Sequence, residues 1–150
     1  MTDTTAPRRN RFSVGQILAA TAATVVLSAL LVRFILSTTG DLGFGGGAVR
    51  YFSYFTIISN ILVAIVVTPA AFAPNSFLAR LVLRPAFAGA VALYIIITGL
   101  IFNLLLRNLE VLTGFEEVCN LCLHYVMPVL YPIFWLLFVS KGQLRWTHVL

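Results

Sequence analysis

An all-α bundle of membrane-spanning helices is the fold class this 150-residue chain predicts, and three observations predict it. Apolar residues make up 60% of the chain and charged ones only 10%, where soluble domains run at about 45–50% and about 25%. The mean hydropathy is +0.98. The apolar residues also fall into four stretches, each close to the roughly 20 residues that cross about 30 Å of hydrocarbon. A water-soluble globule is excluded. Ten Lys and Arg against five Asp and Glu give a net charge of +5, but these cations are scattered among apolar runs and make no continuous basic face, which excludes nucleic acid as a partner. At this length a single domain, 1–150, is expected, with its core packed in lipid.

Taken in order, residues 1–13 carry Arg8, Arg9 and Arg11 and read as a cytoplasmic tail. The first span covers 14–36. Signal-peptide cores are only about 7–15 residues long and end at a small-residue cleavage site, so this longer stretch predicts an uncleaved anchor. The connection 37–50 contains Gly45, Gly46 and Gly47, a run that reads as a helix breaker. Span two covers 51–73, span three 86–106 and span four 121–139, separated by the short connections 74–85 and 107–120. Residues 140–150 are either a cytoplasmic end or the opening of a fifth span at 146–150. Short cytoplasmic loops collect Lys and Arg. With the N-terminus inside, Arg8, Arg9, Arg11, Arg80, Arg84, Lys141 and Arg145 lie inside, against Arg50 and Arg107 outside. Both termini are therefore expected in the cytoplasm.

Polar residues within a span are unfavourable and usually face the bundle interior. At 1.5 Å per residue, Thr56 lies about 8 Å below the outer end of span two, with Ser59 and Asn60 on its face. His124 lies about 5 Å into span four, and Arg33 and Asn103 about 5 Å from the outer ends of spans one and three. Each has a plain structural reading. Arg33 can snorkel to headgroups, Thr56 can bond its own i−4 carbonyl, and Asn60 and Asn103 can glue helices together. The shared depth gives each residue a second reading, as part of one outer-layer site. Pro128 follows His124 by four residues and Pro132 follows Pro128 by four. Lacking an N–H, Pro128 leaves the His124 carbonyl without its helix partner. A kink beside His124 is expected, either an ordinary membrane-helix kink or one that opens a cavity behind the imidazole.

Two chemistries suit this layer. In the first, Thr56 is a nucleophile and His124 its general base, since a threonine hydroxyl attacks a carbonyl only when something removes its proton. Asn60, Asn103 or Arg33 would stabilise the oxyanion of a lipid ester. The second uses Cys119 and Cys122, a C-x-x-C at the mouth of span four, as a redox pair, with a structural disulfide or two unpaired thiols as its alternatives. A c-type haem is excluded because Leu123 separates the motif from His124. Cys119, Cys122 and His124 lack a fourth zinc ligand. No metal or cofactor is expected.

A four-helix membrane bundle with C-x-x-C at a helix start resembles the quinone-linked disulfide oxidoreductases, although those carry a second cysteine pair that this chain lacks. A closer resemblance is carried by three motifs in sequence. Arg50-Tyr51-Phe52-Ser53-Tyr54-Phe55-Thr56-Ile57-Ile58-Ser59-Asn60, then Thr98-Gly99-Leu100-Ile101-Phe102, then Asn120-Leu121-Cys122-Leu123-His124 with Pro128, resemble the bacterial branch of the androgen-induced, FAR-type membrane protein family. The resemblance runs from about Phe12 to the end. It implies a threonine-type hydrolase of fatty acid esters of hydroxy fatty acids or similar lipids, with the threonine on Thr56 and the histidine on His124, in a bacterial plasma membrane. Arg33 would meet a substrate carboxylate, and Ser59 and Asn120 join the substrate or oxyanion candidates. Two departures stand out. Family members have about six spans, so this chain is expected to be a shortened member, its missing wall supplied by another copy or absent. Phe102 is followed by Asn103 where the pattern has His. Membrane lipids are the expected partners, with a homo-oligomer as the second. The non-enzymatic alternative is a packing or lipid-binding protein.

Overall fold

The computed structural model describes residues 13–107 and 113–141, which form six helices and no strand. They are α1 (Val14–Thr38), α2 (Gly43–Ser53), α3 (Phe55–Phe72), α4 (Phe77–Val82), α5 (Pro85–Leu106) and α6 (Phe115–Phe138). Four of them, α1, α3, α5 and α6, are long and apolar enough to cross a membrane. The chain is a multi-pass α-helical membrane protein. The tail arginines Arg8, Arg9 and Arg11, and residues 142–150 with Arg145, lie outside the described residues.

Local chemistry sets the helix ends. Ser13 caps α1 in a reciprocal box with Gln16, and Ser76 caps α4 by accepting from the Ala79 amide, each satisfying an orphan N–H. Pro85 begins α5 at the one turn where its missing N–H is harmless. Gly114, at φ +63°, leads into α6, whose first turn carries Glu116 and Glu117 against the positive end of the helix dipole. Within α1, Thr21, Thr24 and Ser28 each bond a carbonyl one turn earlier, which satisfies their hydroxyls without a partner helix.

The four long helices alternate in direction along the chain, α1 and α5 ending where α3 and α6 begin. Helix α3 is central, with over half of its span buried, against a third or less for the others. Ala19, Ala22, Ala23 and Val26 of α1 face Val63, Val66, Val67 and Ala71 of α3 in the buried core. Small side chains let backbones approach where lipid supplies no hydrophobic drive between helices. At one end of the bundle α1 finishes and α3 and α6 begin. Helix α2 packs across this end, burying Gly47 and Tyr51 and exposing Phe44, Val49 and Phe52.

Three expected boundaries need correction. The glycine run in 37–50 lies inside α2 rather than breaking the chain. Gly47 is helical because it packs on α1: a Cβ there would stand 2.1 Å from the Ser37 carbonyl oxygen, and the Ser37 hydroxyl donates to the Gly47 carbonyl at 2.9 Å. Span two begins at Phe55 rather than 51, because Tyr54 is extended and separates α2 from α3. Span four begins at Phe115 rather than 121, because Gly114 and the two glutamates start the helix a turn and a half earlier.

Candidate functional site

Thr56 sits in the first turn of α3, and His124 sits nine residues into α6, yet their side chains meet: Thr56 Oγ1 lies 3.0 Å from His124 Nε2. The helix starts are not level, so the pair forms although the depths counted from the expected span ends were not those of the actual helices. On the other side of the ring, His124 Nδ1 is 3.3 Å from the Asn120 carbonyl. A carbonyl only accepts, so Nδ1 carries the proton, Nε2 is the acceptor, and the Thr56 hydroxyl donates to it. The Phe102 ring stacks on the imidazole with centroids 3.9 Å apart and planes at 26°. The space behind the imidazole, where a kink was expected to open a cavity, is therefore filled by an aromatic ring.

The backbone is irregular on both helices at this level. Phe102–Leu106 closes α5 as a π-helical turn, with the Arg107 N–H donating to the Phe102 carbonyl at 2.9 Å. Cys122–Val126 is a π-helical turn inside α6, with the Met127 N–H donating to the Cys122 carbonyl. Such single turns are frequent at functional sites. Pro128, which cannot donate to the His124 carbonyl, lies immediately beyond this turn. Gly99 lets α5 come close here, since a Cβ on it would lie 2.7 Å from Pro128 Cβ.

The surrounding polar residues hold the pair in place. Both amide hydrogens of Asn60 are engaged, one on the Thr56 carbonyl at 2.9 Å and one on the Leu123 carbonyl at 3.3 Å. Asn60 thus ties α3 to α6 beside the imidazole, a positioning role rather than the expected oxyanion donation; its Oδ1 is buried with no partner among the described residues. The Ser59 hydroxyl lies 3.0 Å from the Thr56 carbonyl and 2.8 Å from Thr98 Oγ1, and Thr98 donates to the Tyr94 carbonyl at 2.9 Å. Two hydroxyl protons serve these three contacts. The Thr56 carbonyl accepts from both Asn60 and Ser59, and the Ser59–Thr98 hydroxyl contact joins α3 to α5. Asn103 turns back on its own helix, donating to the Gly99 carbonyl at 2.8 Å. Asn120 contributes its backbone carbonyl.

Arg33 pairs with Glu116 at 2.8 Å, which joins α1 to the start of α6. Sequence reasoning missed this partner because it placed Glu116 in a connection. It likewise missed Phe102 as the ring against the imidazole, although Phe102 closes one of the three motifs. Cys119 and Cys122 are both free thiols, the first buried. They lie inside α6 rather than at its N-terminus, so the helix dipole that would activate a redox thiol is not aimed at them. No group of three metal ligands occurs among the described residues.

A cavity of about 350 Å³ lies at the α2 end, lined by residues that include Arg33, Asp41, Arg50, Tyr51, Tyr54 and Glu116. Neither Thr56 nor His124 lines it, though Tyr54 and Ile57 on either side of Thr56 do. Tyr51 is anchored by donating to the Leu30 carbonyl at 2.9 Å, and burial pushes its phenol up to about 12, which keeps it a donor.

Fold and site together define a multi-pass α-helical membrane protein with an oriented hydroxyl–imidazole pair at one end of its bundle. Compared with family models, with curated proteins and with solved structures, the chain has no match.

Proposed function

We propose that this protein is a hydrolase of lipid esters in a bacterial plasma membrane, with Thr56 as nucleophile and His124 as general base. The reading is carried by one observation, the 3.0 Å contact between Thr56 Oγ1 and a His124 Nε2 held as acceptor by the Asn120 carbonyl. That is the nucleophile, base and orienting group of acyl-transfer sites, with a backbone carbonyl in the orienting role.

In the reaction, Thr56 Oγ1 attacks the ester carbonyl carbon as its proton passes to His124 Nε2. The negative charge on the former carbonyl oxygen would be met by the first amides of α3. The N–H groups of Phe55 and Thr56 have no acceptor within the helix, and no side chain caps this end. Collapse breaks the bond to the leaving oxygen, which takes the proton from His124 and departs as the alcohol. Water then attacks the acyl-threonine, again losing a proton to His124, and the acid leaves as Thr56 regains its hydrogen. No cofactor or metal takes part. The substrate class, fatty acid esters of hydroxy fatty acids or related esters near the outer leaflet, follows from the resemblance to the androgen-induced, FAR-type family.

The non-enzymatic reading has one observation in its favour: Asn60, Ser59, Thr98 and Asn103 all use their hydrogen bonds on helix carbonyls or on one another, as packing residues do. A lipid-like fluorophosphonate probe separates the two. The hydrolase reading expects labelling of the purified full chain that disappears in Thr56→Ala and His124→Ala variants with unchanged thermal unfolding. A wild-type chain that never labels, or labelling that survives Thr56→Ala, overturns it.

A further inference from the structure

Helix α2 supplies no group to the Thr56–His124 pair, and most of its apolar surface is bare. At about 100° per residue, its side chains fall into three sectors. Gly47 and Tyr51 lie together and are the residues buried against the bundle. Phe44, Phe52 and Val49, with Gly45 and Ala48 between them, spread over about 140° on one side of that contact. The three large side chains are 70%, 53% and 71% exposed. Gly46, Ser53 and Arg50 fill the remaining side, where the Ser53 hydroxyl donates to the Val49 carbonyl and Arg50 Nε to the Tyr54 hydroxyl. Apolar and polar residues are divided more sharply here than on α1, α3 or α5.

An 11-residue helix with four glycines is too short and too weak a helix former to stand alone. Its buried residues anchor one side, and no described residue comes within 4 Å of where a Cβ on Gly45, in the middle of the apolar sector, would stand. The neighbouring elements show what covers that sector. Phe44 and Phe52 both touch the Phe34 ring of α1, with centroids 6.2 and 6.3 Å away, and Phe52 is followed on α3 by Phe55 and Ile58, which are exposed. The sector thus continues the apolar surface that the spans present to lipid. Three large side chains also fall well short of the roughly 20–30 residues a side that a stable protein interface uses. The sector holds no charged residue, so burial of apolar area rather than attraction to anionic headgroups draws it in. We propose that α2 is an interfacial helix lying in the plane of the membrane surface, with Phe44, Val49 and Phe52 sunk among the upper acyl chains and Arg50 and Ser53 turned to the headgroups. Its partner is the lipid surface. The chain passes from α2 through the extended Tyr54 into α3, so Thr56 enters the bundle from the level at which α2 rests. The helix thereby fixes the depth of the Thr56 hydroxyl below the membrane surface.

The test is footprinting of the wild-type full chain in phosphatidylcholine nanodiscs with two photoactivated diazirines, one dissolved in the acyl phase and one in water, read residue by residue by mass spectrometry. The expected result is acyl-phase labelling of Phe44, Val49 and Phe52 at least about fivefold above that of Arg50 and Ser53, with the order reversed from water. Adding phosphatidylglycerol should leave the pattern unchanged. Phe52→Asp is expected to lower the acyl-phase labelling of Phe44 and Val49 about tenfold, since a carboxylate in that sector opposes burial, whereas Ser53→Asp leaves it unchanged. Water-phase labelling of the three apolar side chains puts α2 outside the membrane and overturns the proposal. Equal acyl-phase labelling all round the helix overturns it as well, making α2 part of a span. Protection from both reagents also overturns it, and a cross-linked dimer would then assign the sector to a second copy. Insertion of α2 does not depend on chemistry at Thr56: Thr56→Ala is expected to keep both patterns, so failure of the hydrolase reading is read separately.

Discussion

Two of the side-chain hydrogen bonds that helix α6 makes across the bundle lie two turns apart, at His124 and Tyr131, and their surroundings differ. Tyr131, fully buried, donates to the Ala88 carbonyl of α5 at 3.0 Å. His124, half-buried, accepts from the Thr56 hydroxyl of α3 at 3.0 Å. The first contact ends on a backbone group, which can only accept and has no chemistry to offer. The second joins two side chains, each able to change its protonation, at the level where both α5 and α6 depart from regular α-helix. The same distance thus joins a side chain to backbone in one place and two side chains in the other, and the hydrolase proposal takes only the second as a reactive pair. Burial, partner type and helix regularity distinguish them.

The sharpest way to break this comparison is to remove each contact without altering shape. Thr56→Val should abolish ester hydrolysis, a loss on the order of a thousandfold or more, while the unfolding temperature in detergent stays nearly unchanged. If turnover persists in Thr56→Val, the two contacts are of one kind and both are fastenings. Next in size is Gly99→Ala. Its new Cβ meets Pro128 Cβ at 2.7 Å, so α5 and α6 must separate, with a cost of about 1–3 kcal/mol in stability. Because Phe102 rides on α5, the same change should lower turnover by about tenfold, the penalty of a slightly misplaced base. Unchanged turnover in that variant would show that the imidazole does not depend on the Phe102 stack.

Smaller effects sharpen the other half. Tyr131→Phe removes one hydroxyl and should cost about 0.6–1.5 kcal/mol, measured by chemical unfolding in micelles, with turnover unaffected. Ser59→Ala breaks the hydroxyl link between α3 and α5 and should cost about 0.5–1 kcal/mol. Since Asn60 still holds the Thr56 carbonyl at 2.9 Å, turnover should fall by less than about threefold.

The four spans and the Thr56–His124 pair were legible in the sequence for different reasons. Apolar length is dictated by bilayer thickness, so every span could be counted without knowing how helices pack. The pair was legible because polar side chains are rare in such spans and have few places to go. Helix α2 was not, because Gly45, Gly46 and Gly47 lower helix propensity and only the tertiary fit of Gly47 against Ser37 overrides it. The early start of α6 was hidden by Glu116 and Glu117, which read as loop charge until the helix dipole and Arg33 give them a role. The inward turn of Asn103 to Gly99 was invisible because the residue's own helix competes with its neighbours for its amide.

The close approach at Gly99 and Pro128 also governs traffic. With no side chain on Gly99, the Pro128 ring packs directly on the α5 backbone and closes the seam between α5 and α6 beside His124. On the hydrolase proposal, the acyl tail of a substrate would not thread between these helices toward the far end of the bundle. It would lie along the α2 side of that closure, near the π-helical turn where Leu104 and Leu105 are exposed. An ester drawn from the bilayer would then present its carbonyl at a fixed height while its tail stays among the lipids.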